Sequence, residues 1–385
     1  MTLKRTLPIL LSLFSLYSFA QDNEPKLKLA PTGRVLIDGA LYASPQKENF
    51  PDGMAISEAR LGAKMSYGKW SALMDVAYSY AKIGLRNMWI QYDFNEHNSV
   101  RFGNFIQPYG LMSTTSNSLK ATYEQPIAGA CFTPGIQLGV MYGFKNKSFW
   151  CGASFHVESS ALSNAMNAPL FNQQGYSILS RLVWRKAKDG GSILQAGING
   201  GFCTPQRRVE GNEDIHDGFT ISANYPTKVA QRQAVGATIT DSRNMFKLSP
   251  ELLVSLGRVA LEAEYYFEQV NRKNNLHSYV SHGAFATLRG VIIGENYSYD
   301  ATTAYVKAPK PGSLECVVNY NYAKLSDSAA NIFGGRANSV NVTFNYYFNP
   351  YITARLNYTY THAWDHTGFD PTSLNGFQAR LMVLF

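Results

Sequence analysis

Ten basic residues share one property: each lies on the polar parity of a segment that alternates polar and apolar residues. They are Arg60 and Lys64, Arg86, Arg101, Arg181 and Arg185, Arg258, Arg289, Arg355 and Arg380. A guanidinium stays charged and offers a planar fork that fits phosphate or carboxylate. Set along a narrow polar tube with low-dielectric walls, such groups focus field lines and raise the local anion concentration. The competing chemistry is bracing. Glu58, Asp75, Glu262 and Glu315 share the same parity and could neutralise several of these cations. Beside them stands Gln107–Thr133, a long and mostly uncharged connection carrying Tyr109, Lys120 and Glu124. A connection of this length without its own structure is unusual unless it functions. Folded inward it would constrict such a tube, with Lys120 acting on passing ions more than any single wall Arg; its alternative is a variable surface loop.

Covalent catalysis finds little support. There is no GxSxG, HExxH or P-loop. Of seven His, His156 and His282 fit on strands, while His97, His216, His277, His362 and His366 read as turn residues. A hydrolase built from Ser, His and Asn would need a constellation that parity alone does not reveal. Cys131, Cys151, Cys203 and Cys316 are widely spaced with no CxxC, so a zinc site is not expected and disulfide connectivity stays open. No cofactor is implied. The basic charge is spread along the chain, which argues against a nucleic-acid partner.

These residues need positioning elements, and composition limits the choice. The 385 residues are 45% hydrophobic and 13% aromatic, with 24 Tyr and 22 Phe, yet only 16% charged. Soluble domains carry about 25% charged residues. The aromatic load excludes disorder, and no apolar run reaches the roughly 18 residues of a membrane helix. The longest run, Leu7–Leu16, follows Lys4 and Arg5 and precedes Ser18-Phe19-Ala20, the pattern of a cleaved export signal. Residues 1–20 are therefore expected to leave a mature chain of 21–385, and losing those two cations takes the formal charge from +8 to +6.

From residue 31 onward, segments of ten to fourteen residues alternate and then break at Gly, Pro, Asn or Asp. Trp70, Ala72, Met74, Val76 and Tyr78 share one face; Val259, Leu261, Ala263, Tyr265 and Phe267 share another. Soluble strands average about 5–6 residues, whereas about 9–11 cross a tilted bilayer path. Aromatics end the apolar faces, as interfacial girdles require. Backbone groups in lipid have no water to bond, so these strands must close. The expected fold is all-β: one transmembrane antiparallel barrel of about 16 strands, with 18 possible, holding an inward-folded constriction loop. Leu248–Phe267 splits into two strands at Gly257-Arg258. The weakest candidates, Phe219–Tyr225 and Gln233–Thr240, could instead be extracellular loop.

Several stretches resemble the phosphate-selective porin O and P family of Gram-negative outer membranes. They are Ile56–Gly62 with Gly68-Lys69-Trp70, Arg101–Leu111, Gly294-Glu295 with Tyr297 and Tyr299, Phe344–Pro350 and Phe377–Leu381. The sequence departs at Asn296, where the family has a basic residue, and at Ser57-Glu58, where it has paired Arg. The resemblance implies a trimeric, anion-preferring channel in the outer membrane that passes small anions such as phosphate or polyphosphate. A general or sugar porin and a non-conducting structural or enzymatic barrel remain the alternatives. Terminal Phe385 resembles the signal read by outer-membrane assembly machinery. The expected partners are outer-membrane lipids, small anionic solutes, that machinery and two further copies of the chain.

Overall fold

The computed structural model describes residues 25–79, 82–112, 119–157, 174–188, 190–210, 213–216, 218–368 and 370–385. The expected export signal lies outside them. The first nine strands are β1 (Lys28–Ala43), β2 (Gly53–Tyr67), β3 (Trp70–Ser79), β4 (Lys82–Asp93), β5 (Asn98–Ile106), β6 (Ile136–Lys145), β7 (Phe149–Val157), β8 (Tyr176–Lys188) and β9 (Ser192–Cys203). Four short strands follow: β10 (Arg207–Glu210), β11 (Glu213–His216), β12 (Phe219–Asn224) and β13 (Gln233–Ile239). Then come β14 (Ser242–Leu256), β15 (Val259–Arg272) and β16 (Tyr279–Ile293), with the small pair β17 (Tyr299–Asp300) and β18 (Tyr305–Val306). The chain ends with β19 (Leu314–Asp327), β20 (Ile332–Tyr347), β21 (Ile352–His366) and β22 (Thr372–Leu384).

Sixteen of these form one closed antiparallel barrel: β1–β9, β14–β16 and β19–β22. Closure removes the edge strands that lipid cannot satisfy. The seam pairs β1 with β22 from Arg34↔Leu384 to Ala43↔Asn375. Phe385 extends it by donating its N–H to Gly33 O at 3.1 Å and accepting from Gly33 N at 2.7 Å, with its ring exposed. The remaining strands form hairpins apart from the wall. Thus the weak candidates near residues 219–240 pair only with each other, as β12 and β13. The chain does turn at Gly257-Arg258, where Gly257 adopts φ 62°.

Period two becomes orientation. Along β8, Ile178, Leu182 and Trp184 are exposed outward, while Ser177, Leu179, Arg181, Val183 and Arg185 are buried inward. Both termini and most short turns share one end of the barrel, which also carries the 294–313 connection, and most of the longer connections share the other. Outer-membrane barrels place short turns in the periplasm and long loops outside the cell.

Candidate permeation pathway

Three inserts fill much of the lumen. The first is the connection from β5 to β6, with a short helix α1 (Ile127–Phe132). Its Tyr109, Leu111 and Met112 are buried, and wall side chains hold its backbone. Gly110 N–H donates to Asn199 Oδ1 at 2.9 Å, Leu111 N–H to Glu264 Oε2 at 3.0 Å, and Ile127 N–H to Asn321 Oδ1 at 3.0 Å. The second insert enters from the periplasmic end as the β17–β18 hairpin. There Tyr305 donates to Glu262 at 2.7 Å, Tyr297 to Glu315 at 2.6 Å and Tyr299 to Gln195 at 2.5 Å. Leu111 of the first insert packs in one apolar cluster with Tyr297, Tyr305 and Val306 of the second, so the two meet inside the wall. The third insert, between β12 and β13, reaches in from the long-loop end; Gln378 donates to Pro226 O at 3.1 Å.

Five of the ten basic residues grip these inserts. Arg181 forks onto Glu251 at 2.7 and 2.9 Å and reaches the Thr303 carbonyl at 3.3 Å. Arg185 donates to Ala301 O at 2.6 Å. Arg289 lies between Glu262 and Glu315 at 2.9 and 2.8 Å. Arg355 donates to the carbonyls of Lys120 and Thr122 at 2.7 and 3.0 Å. Arg380 bridges Asp38 at 2.7 Å, Tyr123 O at 2.7 Å and Glu124 at 2.5 Å. In dry surroundings an unpaired cation is costly, which accounts for every one having an oxygen partner.

The opposite side of the lumen is less filled. Inward residues of β2–β6 are mixed, with Ser57, Asp75, Ala77, Phe105 and Met141 buried but the basic residues half-buried or exposed, in contrast to the buried inward rows of β14–β22. Arg60, Lys64, Arg86 and Arg101 all lie here. Glu58 bridges Arg34 at 2.8 Å and Arg60 at 3.0 Å, and Arg60 continues to Asp75 at 3.5 Å. Asp75 in turn accepts from the Asn87 amide and side chain at 2.7 and 2.9 Å. Arg101 donates to Gln91 Oε1 at 2.7 Å and lies 4.2 Å above the Trp89 ring. The Arg86 side chain is exposed and pairs with no described residue. Together these groups form a strip of cations interleaved with Glu58, Asp75 and Asp93. Their donors stand at several levels along the wall.

Tyr109, Lys120 and Glu124 all sit on the first insert. Lys120 is 4% exposed, with Nζ 3.1 Å from Gln125 Oε1, and Glu124 also meets Lys228 at 3.2 Å. Arg258 must be corrected. It occupies the exposed turn after β14, outside the wall, because Gly257 ends the alternation one residue earlier. His362 is likewise a strand residue of β21, stacked on Trp364. Arg34, Lys228 and Lys247 of β14, which pairs with Glu268 at 2.5 Å, are lumenal cations absent from the ten. Arg34 shares inward parity with Asp38 on β1 and was visible by that rule; Lys228 arrives on the third insert and has no periodic signal. All four cysteines are free thiols.

A family model described as phosphate-selective porin O and P matches residues 53–385. No curated protein matches the chain. Among solved structures, an anion-selective porin from Comamonas acidovorans aligns with TM-score 0.59 at 11% identity, covering 94% of this chain and 100% of that one. OmpT, an outer membrane protein of Vibrio cholerae, aligns with TM-score 0.57 at 13% identity over 96% of this chain and 99% of its own. The outer membrane channel DcaP of Acinetobacter baumannii gives 0.57 at 11%, over 96% and 100%.

Proposed function

This chain belongs to the phosphate-selective porin O and P family, and we propose that it lets small anions diffuse along the strip of β2–β6. Family membership makes it an outer-membrane channel rather than an enzyme; the solute class is the proposal. Its main support is the row Lys64, Arg86, Arg60 and Arg101, of which Lys64 and Arg86 are exposed and Arg60 and Arg101 half-buried, while the inward rows of β14–β22 are buried. A weakly selective pore is the second reading, favoured by the carboxylates Glu58 and Asp75 set between those cations. Phosphate or polyphosphate as the natural solute would require the row to outweigh them.

Reconstitution in a planar bilayer under a salt gradient separates the readings. The wild type is expected to give an anion-preferring reversal potential, and Arg86→Glu to move it clearly toward zero at unchanged folding yield. A potential near zero in the wild type selects the unselective pore, and folded protein without conductance removes both. We further propose export by a cleaved leader of residues 1–20 and assembly as a homotrimer. Native mass spectrometry detecting only monomer would remove the trimer, and a mature N-terminus other than Gln21 would remove the cleavage site.

A further inference from the structure

Away from the lumen, the outward faces of β16, β19, β20 and β21 are apolar at mid-height. Leu288 is 52% exposed, Val318 42%, Val340 37% and Leu356 62%. Toward the long-loop end the same columns change character. The strand register places His282 beside Lys324, Lys324 beside Arg336 and Arg336 beside Trp364. One row therefore crosses four neighbouring strands on the outward parity, a few residues inside the rim. The inward neighbours Ala323, Leu325 and Ala337 are fully buried and separate this row from the lumen.

Aromatic rings frame it. Tyr265 and Tyr322 lie 6.1 and 6.0 Å from His282, and His362 stacks on Trp364 at 5.2 Å. Arg336 Nε is 2.8 Å from Asp365, with both side chains about a third exposed. None of the described residues pairs with Lys324. A cation facing lipid is costly at mid-membrane and tolerated only near the headgroups, where aromatic belts also sit. Anionic headgroups convert that tolerance into attraction, and a guanidinium beside an ammonium suits a phosphate monoester.

We propose that Lys324 and Arg336, flanked by His282 and Trp364, bind the phosphorylated headgroup of an outer-leaflet lipid from outside the barrel. This rests on the barrel's place in the outer membrane and not on what passes through it. Detergent-solubilised protein would be titrated with diphosphoryl lipid A, with the same lipid stripped of phosphate, and with inorganic phosphate, bound lipid being counted by native mass spectrometry. Wild type is expected to retain the diphosphoryl form selectively. Lys324→Gln with Arg336→Gln should weaken it roughly 25-fold, taking the usual contribution per surface cation. Lys324→Arg with Arg336→Lys should keep most of the affinity. Lys186→Gln, outward on β8 near the opposite end, should change nothing. Should the double variant fail to fold, Lys324→Gln alone decides, with a loss of roughly fivefold. Equal binding by the Gln variants, or equal binding of the dephosphorylated lipid, overturns the proposal. Full competition by inorganic phosphate at matching concentration would overturn it too, identifying a free-anion site.

Discussion

Arg289 is held between Glu262 and Glu315 with all three side chains fully buried, and Tyr305 and Tyr297 donate to the same two carboxylates. Removing the cation strands both acids in a dry site, a change that costs about 3–5 kcal/mol in buried pairs. Arg289→Gln should therefore lower the temperature at which the folded form is lost on heat-modifiability gels, while Arg86→Gln leaves it in place. Matching transitions for the two variants would refute that assignment of roles. Lys120 presents a different case. Burial lowers its pKa to about 7, Glu124 opposes this, and Arg34 and Lys228 add to it. It is charged below that pH and neutral above. Anion preference should accordingly fall as pH rises from about 6 to about 8, and Lys120→Gln should flatten the profile; a fall that persists in the variant would place the titration elsewhere. Parity turned Arg289 and Arg86 inward on paper, because orientation is local. Pairing is not. Arg380 meets Glu124 across 256 positions and Arg355 meets the Lys120 carbonyl across 235, so no nearby pattern records which cations hold an insert and which face water.

At the scale of elements, the β17–β18 hairpin narrows the periplasmic half of the lumen. Deleting residues 299–306 and joining the ends with Gly should raise single-channel conductance severalfold. Folding should survive, since Glu262 and Gln195 would exchange tyrosine hydroxyls for water, Arg181 keeps Glu251 and Arg185 keeps the Asn146 carbonyl. Unchanged conductance would mean that the hairpin does not border the path. This insert had no trace in the sequence because strands of two residues carry no period. The opposite difficulty arose at β12 and β13. They alternate well but have only 6 and 7 residues, below the roughly 9–11 needed to cross the bilayer. Length, more than alternation, is what separated wall from hairpin.

Over the whole molecule, packing is lopsided: inserts crowd the side formed by β14–β22, and the polar strip runs beside β2–β6. One contact in that packing lies on the seam. Asp38 of β1 and Arg380 of β22 are register partners on the two strands that meet last along the chain, and they hold each other at 2.7 Å. The same two side chains also clasp the first insert, Asp38 through the Tyr123 hydroxyl and Arg380 through the Tyr123 carbonyl and Glu124. The zip is thus also a latch. A barrel that closed with this segment still outside would leave both charges of the clasp short of partners, so seating the segment and joining the ends belong to one step of biogenesis. Asp38→Asn should then slow the appearance of the compact gel form during refolding and leave the segment open to protease for the same interval. Compaction at the wild-type rate would uncouple the two events.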